Sequence, residues 1–263
     1  MAHVFVSPHP DDVALSCGGL IASLRASGES VTIVTVHGGA GSEPALTPYQ
    51  VDALGFDDGR PIPTPDEAMG FRRAEDEAFG RYVGATMVQL LRPDGVFRGY
   101  SDNAMLSGTL LPEDPPPVEA LRRALAAAAP DRLYLPLAIG GHVDHQQTRR
   151  AGIALLAEAG SPYRDRTWFF EDFPYAFRYG FERLDQLPAD ALAQLPGRLE
   201  PEYFDVTPWL ERKLAALQSY PSQLGPIFRT HEHMVEMFTR RAELLGRLGA
   251  VGPAERYWRL TNP

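Results

Sequence analysis

The sequence predicts an α/β fold in which helices flank a mostly parallel β-sheet. Two observations indicate it: short apolar runs alternate with longer segments of helical periodicity, and Gly- and Pro-rich loops separate them. The chain has 263 residues, of which 44% are hydrophobic, and this length allows a substantial core. No internal repeat or low-complexity linker divides the chain, so we expect a single domain over residues 1–263.

The predicted strands and helices alternate along the chain. Apolar runs rich in β-branched or aromatic residues predict strands at 3–7, 31–36, 86–91, 132–137 and 166–172. Helical periodicity and helix-stop signals predict helices at 13–25, 67–83, 118–129, 146–159, 208–219 and 231–248. The remaining segments predict long loops at 37–65 and 99–117, and irregular structure at 173–206.

Composition and charge exclude several classes of protein. The formal net charge of −9 argues against a sequence-independent nucleic-acid binder, which needs basic patches. The N-terminus lacks the pattern of a signal peptide, and no apolar stretch is long enough to cross a membrane. Cys17 is the single cysteine, so no disulfide can form within the chain. We therefore expect a cytoplasmic protein without nucleic-acid or membrane partners, and the sequence leaves a homo-oligomer open.

Two loops carry clusters of histidine and aspartate. SPHPDD at 7–12 follows the first predicted strand, and GGHVDH at 140–145 follows the fourth. In a parallel sheet the carboxyl ends of the strands meet at one edge, where ligands bind. We expect a metal site there, built from residues of the set His9, Asp11, Asp12, His142, Asp144 and His145. Imidazole and carboxylate ligands suit Zn²⁺, and less distinctively Fe²⁺, Co²⁺ or Mn²⁺.

The adjacent aspartates Asp11 and Asp12 fit this hypothesis. One carboxylate can ligate the metal while the other accepts a proton from the metal-bound water. Each motif on its own is equally typical of a turn that caps a helix, because Asp at a helix start accepts hydrogen bonds from free backbone N–H groups. The presence of both motifs at strand ends favours the metal site.

Three further features are interpreted as structural. Cys17 is expected to be a small buried thiol, although it is also a candidate zinc ligand, and Gly18 and Gly19 are expected to let the first helix pack closely beneath the site. HGGAGS at 37–42 lacks the spacing of a phosphate-binding loop, so we interpret it as a flexible loop of the site. HEH at 231–233 is interpreted as the start of a surface helix.

These motifs resemble those of a known protein family. SPHPDD…CGG resembles the (A/S)HPDD…GG signature of the PIG-L/LmbE-like zinc-dependent de-N-acetylases, and GGHVDHQQTRR resembles the HxDH motif of that family. Three supporting matches are RRAEDEAFGRYVG, the RPDG turn and KLAALQSYPSQ. The resemblance spans most of residues 3–223 in order.

The resemblance implies a Rossmann-like single domain and a role for each motif residue. By motif position, His9, Asp12 and His145 would be the metal ligands. Asp11 would be the general base, and His142 would be the general acid or would stabilise the tetrahedral oxyanion. The implied reaction is attack of zinc-bound hydroxide on an acetamide carbonyl, which releases acetate and an amine.

Other positions are assigned by the same resemblance. Asp144 would orient a neighbouring histidine, and Arg72 and Asp94 would contact sugar hydroxyls. Gly140 stands where some members carry a tyrosine that helps to hold the oxyanion, and Gly39 stands where a glutamate is frequent. These departures, together with the unmatched segment 173–206, bear on the choice of substrate rather than on the reaction.

Three functions remain open from the sequence. The first is a zinc-dependent deacetylase acting on an N-acetylglucosamine-containing small molecule. The second is an amidase that cleaves a larger amide, with the Tyr- and Phe-rich segment 173–206 forming an apolar pocket. The third is a non-catalytic sugar- or metal-binding module, which Asp11 and His142 disfavour because pure binding needs neither a free base nor an acid. A nucleotide-binding protein is weaker still, since the glycine fingerprint is absent.

Overall fold

A computed structural model describes residues 1–57, 59 and 61–261. In this part of the chain a seven-stranded sheet has the order β3-β2-β1-β4-β5-β7-β6. The strands are β1 (Ala2–Ser7), β2 (Ser30–Thr35), β3 (Thr86–Gln89), β4 (Arg132–Pro136), β5 (Thr167–Phe170), β6 (Arg198–Asp205) and β7 (Ala254–Thr261). Strands β1 to β5 pair in parallel, and β7 and β6 extend the sheet in antiparallel orientation. The predicted mostly parallel α/β fold is confirmed.

Helices cover both faces of this sheet. They are α1 (Asp12–Ala26), α2 (Pro48–Ala53), α3 (Pro65–Val83), α4 (Asn103–Leu106), α5 (Val118–Ala128), α6 (Val143–Ala157), α7 (Tyr175–Arg178), α8 (Ala189–Ala193), α9 (Leu210–Leu217), α10 (Pro221–Phe228) and α11 (His231–Gly249). Local chemistry explains where they begin and end. At α3, for example, Thr64 and Glu67 form a reciprocal capping box, and Gly84 ends the helix with a φ of 80°.

Several regions differ from the sequence-based prediction: the predicted loop 99–117 contains α4, and α10 and β7 were not predicted. Segment 173–206 was predicted to be irregular, yet it contains α7, α8 and β6. Strand β6 escaped the prediction because RLEPEYFD is charged and contains Pro201, which is tolerated at the edge of a sheet. Segment 37–65 was predicted to be a loop, yet it contains the short helix α2, and its residues 58 and 60 lie outside the described part of the chain.

The core consists of two main layers, one on each face of the sheet. Alternate residues of β1 point to opposite faces, so that Phe5 packs with α1, α9 and α11, whereas Val4 and Val6 pack with α5 and α6. Cys17 is fully buried in the first layer, which confirms its interpretation as a buried thiol.

The paired glycines of α1 allow close packing, although not directly against the site. A Cβ atom at Gly18 would lie 2.9 Å from Cγ of Lys213, and one at Gly19 would lie 2.8 Å from Cγ1 of Val206. Lys213 forms a buried ion pair of 2.7 Å with Glu255, whose carboxylate also accepts a hydrogen bond from the backbone N–H of Gly19. The glycines therefore bring α1 against α9 and β7 rather than against the strand-end loops.

The strand order places the two motif loops side by side. Strand β1 lies between β2 and β4, so the chain leaves β1 in one direction across the sheet and returns on its other side. Such a reversal opens a crevice at the carboxyl ends of the two central strands. The loops that follow β1 and β4 carry the HPDD and HVDH motifs. Among the described helices, none combines the length and apolar character needed to span a membrane.

Candidate active site

The HPDD loop is held in a strained backbone conformation. Asp11 directly precedes α1 and has a φ of 104°, a value that non-glycine residues rarely adopt. Such strain typically costs about 1–3 kcal/mol and is concentrated at functional sites. Hydrogen bonds fix the loop: Ser7 Oγ donates to the carbonyl of His9 at 2.6 Å, and the backbone N–H of His9 donates to Oδ2 of Asp12 at 2.8 Å.

The HVDH loop reaches the same edge from β4. Gly140 and Gly141 have φ values of 89° and 72°, so the chain turns sharply before α6. His142 caps this helix, because its Nδ1 accepts a hydrogen bond of 3.2 Å from the backbone N–H of Asp144. In a neutral imidazole the proton then resides on Nε2. Helix α6 begins at Val143, three residues before the predicted start at Gln146, so Asp144 and His145 lie in its first turn.

Asp12 lies between two histidines. Its Oδ2 atom is 3.0 Å from Nδ1 of His9 and 3.2 Å from Nε2 of His145. Nε2 of His145 is buried, and its contact with Asp12 lacks the geometry of a hydrogen bond, so this nitrogen has no hydrogen-bond partner. One ligand atom each from His9, His142 and His145 also lies within 4.8 Å of the others. Nitrogen and carboxylate donors that converge in this way, with an unsatisfied imidazole nitrogen among them, fit a divalent metal ion.

A second carboxylate holds each of these histidines from behind. Oδ2 of Asp144 lies 2.8 Å from Nε2 of His9, and Oδ1 of Asp172 lies 2.6 Å from Nδ1 of His145. A carboxylate on one ring nitrogen fixes the tautomer and directs the opposite nitrogen toward a metal. The free nitrogens are then Nδ1 of His9 and Nε2 of His145, the two that face Asp12.

The electrostatics of the site favour a cation. Burial alone lowers the pKa of His9, but its hydrogen bonds with Asp12 and Asp144 outweigh this effect and raise the pKa to about 9. Although burial opposes it, contact with His145 holds the pKa of the Asp12 carboxyl well below its usual range. Buried carboxylates are costly unless positive charge compensates them, and a divalent ion supplies that charge.

Asp11 has a different environment from Asp12. Burial raises the pKa of Asp11 to about 8, and the neighbouring charge of Asp12 contributes, while Arg72 opposes the shift. Oδ1 of Asp11 lies 3.8 Å from Nη2 of Arg72. A buried carboxylate whose pKa lies near neutrality is suited to exchange a proton at physiological pH.

Arg72 and Asp94 form part of the same pocket. Nη1 of Arg72 lies 3.5 Å from Oδ2 of Asp94, and its Nη2 donates to the carbonyl of Pro10 at 3.3 Å. Asp94 also lies close to the histidines, with Oδ2 at 3.7 Å from Nε2 of His9. The structure thus brings both predicted substrate contacts beside the HPDD loop.

The pocket over the site has a volume of about 380 Å³. Its wall includes Tyr175 of α7, whose ring meets that of His145 edge-on at a centroid distance of 5.6 Å. A Cβ atom at Gly140 would lie 2.7 Å from the Tyr175 ring, so the glycine makes room for this tyrosine. Of segment 173–206, Pro174, Tyr175 and Arg178 line this pocket.

Several residues of the site were not predicted from the sequence. Asp172 directly follows strand β5, so the rule that identified the two motif loops could also have identified it. His37 and Arg98 surround Asp144, with Nδ1 of His37 at 3.5 Å and Nη2 of Arg98 at 2.5 Å from Oδ1 of Asp144. Only the three-dimensional structure brings Tyr175 into the pocket.

The structure also shows the positions of the HEH segment at 231–233 and the HGGAGS segment at 37–42. The HEH segment begins α11, is capped by Thr230 and is exposed, which confirms a surface helix start. In HGGAGS, Gly39 pairs with Pro93, and a Cβ atom there would lie 2.1 Å from the carbonyl oxygen of Leu91. Gly39 therefore permits a close backbone approach, which explains why a glutamate cannot occupy this position without rearrangement.

Comparisons with known proteins agree with this geometry. A family model described as PIG-L, GlcNAc-PI de-N-acetylase, matches residues 4–156, which include both motif loops. The 2'-N-acetylparomamine deacetylase of Streptomyces fradiae is 31% identical over 229 residues, or 84% of this chain and 72% of that protein. The crystal structure of the A40926 pseudoaglycone deacetylase Dbv21 is similar with a TM-score of 0.74 and 26% identity, covering 100% of this chain and 99% of that chain. The zinc-inhibited form of teicoplanin deacetylase Orf2 shares the fold, with a TM-score of 0.77, 22% identity and coverage of 100% and 99%. Because the family model matches more than half of the sequence, including the loops that build the site, the chain belongs to the PIG-L de-N-acetylase family.

Proposed function

We propose that this protein is a metal-dependent hydrolase that removes the acetyl group from an N-acetylated amino sugar within a small-molecule conjugate. The observation that carries the proposal is the position of Asp12 between His9 and His145, with Asp11 in the pocket that His9 and Asp12 also line. Family membership and the deacetylase names of the relatives support the same reaction.

The metal centre is proposed to consist of His9, Asp12 and His145. Two imidazoles and one carboxylate form a common donor set for Zn²⁺, and Fe²⁺ or another divalent ion is compatible with the same ligands. When bound, such an ion lowers the pKa of a coordinated water and polarises the acyl carbonyl. Asp144 and Asp172 are proposed to keep the two histidines in the tautomers that leave Nδ1 of His9 and Nε2 of His145 free.

Proton transfer is proposed to involve Asp11 and His142. Asp11 lines the pocket and makes no contact with His9 or His145 comparable to that of Asp12, so it is free to accept the proton of the attacking water. His142 has Nδ1 engaged with the helix backbone and is proposed to use Nε2 to protonate the leaving amine or to hold the oxyanion. The C–N bond then breaks, and acetate and a free amine leave.

Substrate recognition is proposed to rely on Arg72 and Asp94. Their buried guanidinium and carboxylate groups line the pocket and offer donors and acceptors that match vicinal sugar hydroxyls. The hydroxyl of Tyr175 is proposed to assist at the acyl carbonyl, since its ring packs against His145 at the wall of the pocket.

An acyl series on one amino sugar tests the proposed reaction. The metal-loaded protein is assayed with N-acetyl, N-butyryl and N-benzoyl glucosaminides, before and after chelation and metal return. Equimolar acetate and amine release from the N-acetyl compound, lost on chelation and restored by metal, is the expected result. Faster turnover of the benzoyl compound would favour an amidase for bulkier amides. A purified protein that retains full activity without any divalent metal would refute the proposal.

A further inference from the structure

A second cavity adjoins the catalytic pocket. It has a volume of about 700 Å³ and shares none of the residues that line the first pocket. Residues that are adjacent in the chain nevertheless line the two cavities. Leu106 and His142 line the catalytic pocket, and their neighbours Ser107 and Gly141 line the second cavity. This volume is large enough for a ligand of drug-like size.

Arg149 of α6 lines this cavity, and its charged side chain is buried. Its side chain is buried, with 4% of the residue exposed, yet it has no ion pair with any carboxylate in the described part of the chain. Its Nη1 donates a hydrogen bond of 3.2 Å to the carbonyl of Leu137, while its Nε has no partner. A buried guanidinium is expensive to desolvate unless an anion compensates it.

The groups around Arg149 do not supply that anion. Asp172 and Asp190 exert a favourable electrostatic effect on Arg149, and Arg150 exerts an unfavourable one. Asp172 is already engaged with His145 and with the backbone N–H of Ile139. Burial outweighs the two carboxylates and lowers the pKa of Arg149. An additional negative charge in the cavity would therefore stabilise the site.

The guanidinium of Arg149 indicates the chemistry of a ligand. Nη1 is engaged with Leu137 and Nε is fully buried, so Nη2 is the nitrogen that remains for a ligand in the cavity. A charged N–H donor of this kind matches an oxygen of a carboxylate. The rest of the cavity includes apolar side chains of Ile139, Phe181 and Leu187. This combination suits an anion that carries an apolar body.

We propose that this cavity is a binding site for a carboxylate with an apolar substituent, anchored by Arg149. The proposal uses no residue of the catalytic pocket, so it does not depend on the proposed deacetylation. The carboxylate has two conceivable sources: a remote part of the substrate that extends past Gly141, or a separate small molecule. Both sources share the same recognition chemistry.

Calorimetric titration of the metal-loaded protein with hexanoate tests the proposal. Hexanamide is the uncharged control ligand. Arg149→Lys keeps the charge but removes the planar fork, and Thr109→Trp fills the cavity from its exposed rim without changing Arg149. His145→Ala separates this binding from carboxylate binding at the metal. Arg123→Gln is the control variant, since Arg123 lies exposed on α5.

The proposal predicts one hexanoate site that persists in His145→Ala and Arg123→Gln. Arg149→Lys and Thr109→Trp are each expected to weaken it by about tenfold or more, and hexanamide to bind at least about tenfold more weakly than hexanoate. Inhibition by hexanoate that competes with the amino-sugar substrate would assign the site to the substrate, and non-competitive inhibition would assign it to a separate ligand; both support the site. Absence of binding, loss of binding in His145→Ala alone, or affinity unchanged in both cavity variants would overturn it.

Discussion

Oδ1 of Asp172 lies 2.6 Å from Nδ1 of His145, although 27 residues separate them in the chain. Both side chains are buried, and Oδ2 of the same carboxylate accepts a hydrogen bond of 2.9 Å from the backbone N–H of Ile139. Strand β5 and the loop after β4 therefore jointly fix the orientation of His145. This contact makes Asp172 a positioning residue for the proposed metal ligand.

Replacement of Asp172 tests this positioning role. Asp172→Asn keeps the size of the side chain but removes the charge that favours Nδ1–H on His145, so we expect metal affinity to fall by about 10–100-fold. Competition with a chromophoric chelator measures the affinity. Asp185→Asn is the control, because Asp185 is exposed and pairs with Arg183. An unchanged affinity in Asp172→Asn would mean that the contact does not orient the ligand.

Tyr175 and Gly140 are expected to act together. Removal of the hydroxyl in Tyr175→Phe should lower kcat by about 10²-fold if this hydroxyl stabilises the developing oxyanion. Gly140→Ala should lower kcat as well, because the added Cβ would collide with the Tyr175 ring. Steady-state kinetics with bound metal measured in parallel provide the readout, and Tyr82→Phe is the control, because Tyr82 lies on the exposed side of α3. A wild-type kcat in Tyr175→Phe would exclude a role for this hydroxyl.

His3 is expected to make stability dependent on pH. It is buried near Tyr134, with Nδ1 3.1 Å from the hydroxyl, and burial together with Arg132 lowers its pKa to about 4. Because the folded pKa lies below the unfolded value of about 6.5, the unfolded chain binds the proton first as the pH falls. The free energy of unfolding should therefore decrease between about pH 6.5 and pH 4, by about 2 kcal/mol at pH 5.

Urea unfolding at pH 7.5 and pH 5 measures this effect. In His3→Gln the loss of stability between the two pH values should be smaller than in the parent by about 2 kcal/mol. His231→Gln, at an exposed position, should retain the parent behaviour. An identical pH dependence in His3→Gln and the parent would show that His3 has the same pKa in the folded and the unfolded chain.

Much of the site could be predicted because its residues follow predictable strands. The apolar runs that form β1 and β4 are short and buried, so their ends were readable from the sequence, and HPDD and HVDH follow them directly. Parallel pairing then brings the two loops together. The start of α6 was predicted three residues late because histidine is not a common helix cap, and His142 takes that role here.

Other parts depend on contacts that no local pattern reports. Tyr175 enters the pocket because the turn at Gly140 leaves space for its ring, a relation between two distant segments. Strand β6 pairs along its whole length with β7, and this pairing stabilises a charged sequence that has little strand character by itself. The missing hydrogen-bond partner of Nε in Arg149 likewise becomes visible only once its surroundings are known.

The division of labour between Asp11 and Asp12 is the central claim, and paired measurements of bound metal and turnover test it most directly. Asp12→Ala should lose the metal and the activity together. Asp11→Asn should bind one metal ion per chain as the parent does, while its turnover of an N-acetylated glucosaminide falls by about 10²-fold or more. If Asp11→Asn loses metal as completely as Asp12→Ala, or turns over substrate at the parent rate, the assigned roles of the two aspartates are wrong.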